Sequence, residues 1–177
     1  MGSGVLFSAV AKTTLVLVFV QAAAGISETN MVLYMHDNLT GRNVTSFPVA
    51  GLNGSSSDPG KFGTVVIMSD PITKQPEVTD SDGNNYLGRA QGAYINTNPH
   101  TGMEFLMVFA ITFESMEYNG STLQIQGIER FDQPQREYFV VGGTGQFRYA
   151  RGYVVCTMEY VSGENAVLRL NTTFRTD

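Results

Sequence analysis

No stretch of this chain sustains the apolar spacing that an amphipathic helix requires. Short alternating or continuous apolar runs recur instead, each broken by Gly, Asn, Asp or Pro. The pattern predicts strands at Met31–His36, Phe62–Met68, Gly88–Ile95, Glu104–Phe113, Thr122–Ile128, Arg136–Val141, Gly152–Tyr160 and Ala166–Phe174. Asn119-Gly120 and Gly142-Gly143-Thr144-Gly145 fall between runs, where tight turns use positive φ. Many adjacent antiparallel strands with short turns make a closed barrel or a sandwich, and closure removes exposed strand edges.

The 177 residues suit one domain once a targeting segment is set aside. Residues 1–24 have the layout of a cleaved secretory signal. Lys12 precedes the apolar run Leu15–Val20, and Ala22-Ala23-Ala24 supplies small residues for cleavage. That run is too short to span a bilayer. The domain is therefore expected over residues 25–177, in a secreted protein. Five N-glycosylation sequons fit that route, at Asn38, Asn43, Asn53, Asn119 and Asn171. With a net charge of −5 and no basic cluster, the chain lacks the Lys/Arg footprint of a nucleic-acid binder. Neither a nucleic acid nor a membrane is expected as a partner. The single cysteine, Cys156, cannot form an internal disulfide and reads as a buried small hydrophobe.

Several chemistries lack their motifs. The Gly142–Gly145 run has no following Gly-Lys-Ser/Thr and leads into another strand rather than a helix, so it is not a phosphate loop. Two histidines, His36 and His100, and one cysteine do not make a zinc site. No Gly-x-Ser-x-Gly accompanies a catalytic triad. The expected loop from Pro71 to Asn85, which holds Asp80, Asp82 and Gly83, does not complete a calcium loop. No cofactor is expected.

Strand alternation singles out two acids. Met31, Leu33, Met35 and Asp37 share one face of the first run, and Leu123, Ile125, Gly127 and Glu129 share one face of another. A carboxyl at the inner end of an apolar stripe resists ionising and can donate a proton to a bound oxygen. Strands also end at water, which by itself would leave acids at these positions. His36 points away from Asp37 if the strand is regular.

In order along the chain come Leu33-Tyr-Met-His-Asp37, Phe62-Gly-Thr-Val-Val, Asp70-Pro-Ile-Thr73 and Gly88-Arg-Ala-Gln-Gly92. Tyr118-Asn-Gly-Ser-Thr-Leu123, Arg136-Glu, Val140-Val-Gly-Gly-Thr-Gly145 and Phe147-Arg-Tyr-Ala-Arg-Gly152 follow. The ordered set resembles the signature of the plant dirigent family, from about Met31 to about Thr173. The resemblance implies an eight-stranded antiparallel β-barrel with an internal pocket, commonly assembled as a trimer. By motif position, Asp37 matches a pocket Asp, Tyr94 a pocket aromatic and Arg136 a pocket Arg. Arg136 reads equally as a structural ion-pair partner. Glu129 stands where the family usually has a second Asp, with Asp132 nearby as a further candidate acid. The disulfide typical of lignan-forming members is absent.

The resemblance also implies the chemistry. Best-known members carry no oxidant; a laccase or peroxidase makes phenoxy radicals from monolignols such as coniferyl alcohol, and the protein directs their coupling toward one lignan enantiomer. Such a member is a stereochemistry-directing auxiliary rather than an enzyme in the strict sense. A related group, the pterocarpan synthases, acts as stand-alone isomerases or lyases that cyclise quinone methides. A wall-bound scaffold without selective chemistry is a third alternative. All imply an apoplastic or cell-wall location.

Overall fold

The computed structural model describes residues 27–52, 58–78 and 83–176. The signal segment at 1–24, the Asn53 sequon, Asp80 and Asp82 lie outside the described residues. Nine strands run in chain order: β1 (Ser27–Asp37), β2 (Ser46–Ala50), β3 (Val65–Thr73), β4 (Tyr86–Asn96), β5 (Glu104–Phe113), β6 (Thr122–Arg130), β7 (Gln135–Thr144), β8 (Arg151–Ser162) and β9 (Asn165–Thr176). From β3 to β9 each strand pairs antiparallel with the next, β9 pairs with β1, and β1 closes the ring by pairing with β3. The result is the expected eight-stranded antiparallel barrel, with β2 as an added strand.

That addition sits on the flank of β3. The end of β3 pairs with β1, Tyr34 opposite Thr73 and Met35 opposite Ile72. Its beginning pairs with β2, from Ser46 opposite Met68 to Ala50 opposite Val65. The two strands thus succeed one another along one edge, with residues 38–45 looping out between them. Sequence patterning missed β2 because Pro48 and its shortness hide it; a proline is tolerated on an edge strand. It also misplaced β3, whose first predicted residues, Phe62–Thr64, form a turn, and whose Pro71–Thr73 end was read as loop. Gly142 and Gly143 belong to β7, and only Gly145 takes positive φ there.

Alternation fills the interior. Leu33 and Met35, Val66 and Ile72, Phe109 and Ile111, Leu123 and Ile125, Val154 and Cys156, and Leu168 and Leu170 are all buried. One end of the barrel is stoppered by aromatic rings: Phe147 packs edge-on against Phe113 and Phe174 and tilts against Tyr118. Edge-to-face packing adds about 0.5–1.5 kcal/mol per pair beyond the area buried. The opposite end is left hollow.

Candidate functional site

The hollow end holds a cavity of about 340 Å³, within the range of small-molecule sites. Its walls are apolar: Phe105 and Met107 from β5, Phe131 after β6, Met158 from β8 and Leu168 from β9. Tyr94 stands edge-on to Phe105, which stands edge-on to Phe131. Into this lining project three polar side chains that alternation or motif had singled out, Asp37, Tyr94 and Glu129. Arg136 does not line the cavity but backs Glu129 from β7. Asp132 is exposed and stays outside the lining.

The two acids have different surroundings. Glu129 is 2 % exposed, and its Oε1 lies 2.6 Å from Nε of Arg136. The pair is close but poorly aligned for a hydrogen bond, and Nη2 of Arg136 has no partner. The Tyr138 hydroxyl donates to the other oxygen, Oε2. Gly127 makes this possible: a Cβ there would lie 2.7 Å from Cδ1 of Tyr138, so only glycine lets the ring lie across β6. Cys156 is the remaining neighbour; burial first, and the charge of Glu129 second, push its thiol up to about 12.

Asp37 lacks such support. No ion pair among the described residues includes it. Burial holds its carboxyl above the usual carboxylate range, against the opposing pull of Ser46 and Tyr94. Tyr94 is pushed up as well, by burial first and then by the charges of Asp37 and Asp70, so it stays a phenol. Asp37 and Tyr94 are within hydrogen-bonding range, yet the alignment leaves Oδ1 of Asp37 and Oη of Tyr94 without a well-formed bond. Both atoms are sealed from solvent at the cavity wall. A ligand oxygen between them would satisfy both, the phenol donating and the carboxyl supplying a proton.

His36 lies on the opposite side of β1, as alternation required, and Nε2 is 2.7 Å from the Thr73 hydroxyl. Two polar residues of the interior went unread in the sequence. Asp70 follows Val66 and Met68 on the inward face of β3, and Tyr138 follows Arg136 on that of β7. The same alternation that found Asp37 points to both. Of the sequons, Asn43, Asn119 and Asn171 are exposed and Asn38 is half-buried.

Residues 28–174 match the family model for dirigent-like proteins. Dirigent protein 11 of Arabidopsis thaliana is 37% identical over 143 residues, covering 81% of this chain and 72% of that protein. Pterocarpan synthase 1 of Glycyrrhiza echinata is 42% identical over 126 residues, covering 71% of this chain and 64% of that protein. The solved structure of the pterocarpan synthase dirigent protein GePTS1 superposes with a TM-score of 0.77 at 34% identity, covering 89% of each chain.

Proposed function

The chain belongs to the dirigent family, and from that premise we propose that its barrel binds a phenolic quinone methide and closes it with one handedness. The observation that carries this reading is the pair of unpartnered polar atoms, Asp37 Oδ1 and Tyr94 Oη, side by side on an apolar wall. Asp37 gives its proton to the quinone-methide oxygen while Tyr94 donates a hydrogen bond to it. The electron-poor carbon is then attacked by a hydroxyl of the same molecule, whose proton restores Asp37. The aromatic and methionine walls hold the ring so that one face meets the hydroxyl. Glu129, anchored by Arg136 and Tyr138, supplies the second polar contact across the cavity.

The quinone methide forms by coupling of radicals that are made outside this protein. A laccase or peroxidase oxidises a monolignol such as coniferyl alcohol, and the barrel receives the phenoxy radicals and directs their union. A second reading is favoured by the identity with pterocarpan synthase: the protein itself removes water from an isoflavanol-type alcohol and cyclises the product without any oxidant. Chiral chromatography separates the two. Enantiomeric excess from coniferyl alcohol plus laccase supports the first, and turnover of an isoflavanol without oxidant supports the second. A racemate at saturating protein together with an inert isoflavanol would sink both.

The protein acts in the apoplast as a glycosylated homotrimer. Supporting the assembly, one lateral row across the outer barrel wall carries Ile67, Ala93, Val108, Gln126, Phe139 and Tyr153 in register, with Phe139 59% exposed. A second copy would cover that row, and Phe139→Glu is expected to yield monomers in sedimentation equilibrium.

A further inference from the structure

Asp70 is 0% exposed on the inward face of β3, and no ion pair among the described residues includes it. Its Oδ1 accepts a hydrogen bond from the Ser46 hydroxyl at 3.1 Å, and its Oδ2 has no partner. Burying a bare carboxylate in this way costs several kcal/mol, which proteins avoid by protonation or pairing. The closure of the barrel explains what faces it. Tyr34 pairs with Thr73 and Met35 with Ile72, and carrying that register two residues further sets Asp37 opposite Asp70. At that level the chain leaves the barrel for the 38–45 loop and returns at Ser46, whose hydroxyl lies in range of both carboxyls.

We propose that Asp70 is a positioning residue that shares one proton with Asp37 through the Ser46 hydroxyl, so that the pocket acid draws its proton from within the barrel wall rather than from solvent. This rests on the reading of Asp37 as the acid of the cavity and extends it to a residue that does not line the cavity. The single proton of the pair rests on Asp70. As the bound oxygen takes a proton from Asp37, Ser46 turns its O–H toward Asp37, passes its own proton there and takes the one from Asp70, which leaves both carboxyls ionised. The proton released by the attacking hydroxyl returns to Asp37 and travels back the same way. Over one cycle the pair neither gains nor loses a proton.

The groups around Asp70 fit this arrangement. From β1 it faces Asp37, whose like charge favours a shared proton. From β4 it faces Arg89, whose side chain is turned to Ser69, with Nε donating to the Ser69 hydroxyl at 2.8 Å. Tyr94, also on β4, stays neutral beside the pair. Thr45 and Ser46 offer hydroxyls and no charge. Burial first and Asp37 second push Asp70 up to about 8, so one proton is held at neutral pH. Like-charge carboxyl pairs of this kind titrate as a unit.

Carboxyl-carbon NMR titration of protein labelled at aspartate tests the pair without any substrate. Two coupled titrations are expected for Asp37 and Asp70. Asp70→Asn should lower the apparent pKa of Asp37, and Asp37→Asn that of Asp70, each by about one unit or more. Independent titrations that ignore the partner's neutralisation would overturn the proposal. The relay is read from activity: Ser46→Ala should lower kcat at least tenfold with little change in KM and move the basic limb of the pH profile, and Ser46→Thr should restore both. An unchanged kcat and pH profile in Ser46→Ala overturns the relay. If no phenolic substrate turns over at all, the NMR coupling still decides the shared proton, and only the functional reading fails.

Discussion

Nε of Arg136 lies 2.6 Å from Oε1 of Glu129, with both side chains almost wholly removed from water. Neither partner can be removed without stranding the other, so this pair fixes the far wall of the cavity. Arg136→Ala is expected to destabilise the fold by about 3–5 kcal/mol, and Glu129→Gln by a similar amount. The double variant should lose less than the two singles combined, as measured by urea unfolding in a double-mutant cycle.

Asp37→Asn keeps the shape of the cavity and removes the carboxyl proposed as its proton donor. Turnover of a quinone-methide precursor should fall by about 10²–10⁴, the usual contribution of a positioned general acid. In the laccase-coupled assay the same variant should lose enantiomeric excess while binding of a phenolic ligand, followed by calorimetry, persists.

Stability should depend on pH through the buried acids. Asp70 titrates at about 8 in the folded chain against an ordinary value near 3.8, so folding binds a proton across that interval. The contribution is fully present below about pH 4 and is lost as pH rises toward 8, at about 1 kcal/mol per pH unit. His36 acts in the opposite sense. The Thr73 hydroxyl already donates to the Gln75 carbonyl, so Nε2 of His36 must be the donor between them, and burial lowers the ring's pKa. Its contribution is present above about pH 6.5 and is lost as pH falls. Urea midpoints for the wild type should therefore decline between pH 6.5 and 8, and Asp70→Asn should flatten that decline.

Gly127→Ala would force a Cβ to within 2.9 Å of the Tyr138 Cα, a backbone atom that cannot step aside. A loss of about 1–3 kcal/mol is expected from overpacking, visible as a lower Tm. The Tyr138–Glu129 bond should break at the same time, which a crystal structure of the variant would reveal.

Cys156 should be silent toward thiol reagents in the folded protein. It is fully buried, and its thiol is pushed up to about 12, so no useful thiolate forms at neutral pH. Reaction with a disulfide reagent should begin only where unfolding begins, giving an optical readout of global opening.

Period-two patterning carried most of the barrel because each strand has one face in the core and one outside. Glu104–Phe113 matched its predicted bounds at both ends, and Leu123, Ile125, Gly127 and Glu129 all turned inward together. Where local signals and tertiary pairing disagreed, the pattern failed. Pro48 and Pro71 hid strand residues, because proline is excluded only where its missing N–H would be needed, and both lie along the flank where β1 gives way to β2. Asp70 went unread as a site residue for a related reason. Its motif was visible, but its closeness to Asp37 depends on the closure of the ring, which no local spacing encodes. Arg136 and Glu129 are seven residues apart on neighbouring strands, and only the pairing of β6 with β7 shows that they meet.

The aromatic stopper formed by Phe113, Tyr118, Phe147 and Phe174 closes the end of the barrel opposite the cavity. With that end blocked, the proposed function has product leaving through the cavity end by which its precursor arrived. For the one-substrate cyclisation, accumulated product would then occupy the space its precursor needs, so inhibition by product should be competitive, and exchange at that end would set a ceiling on throughput that no improvement of the acids could lift.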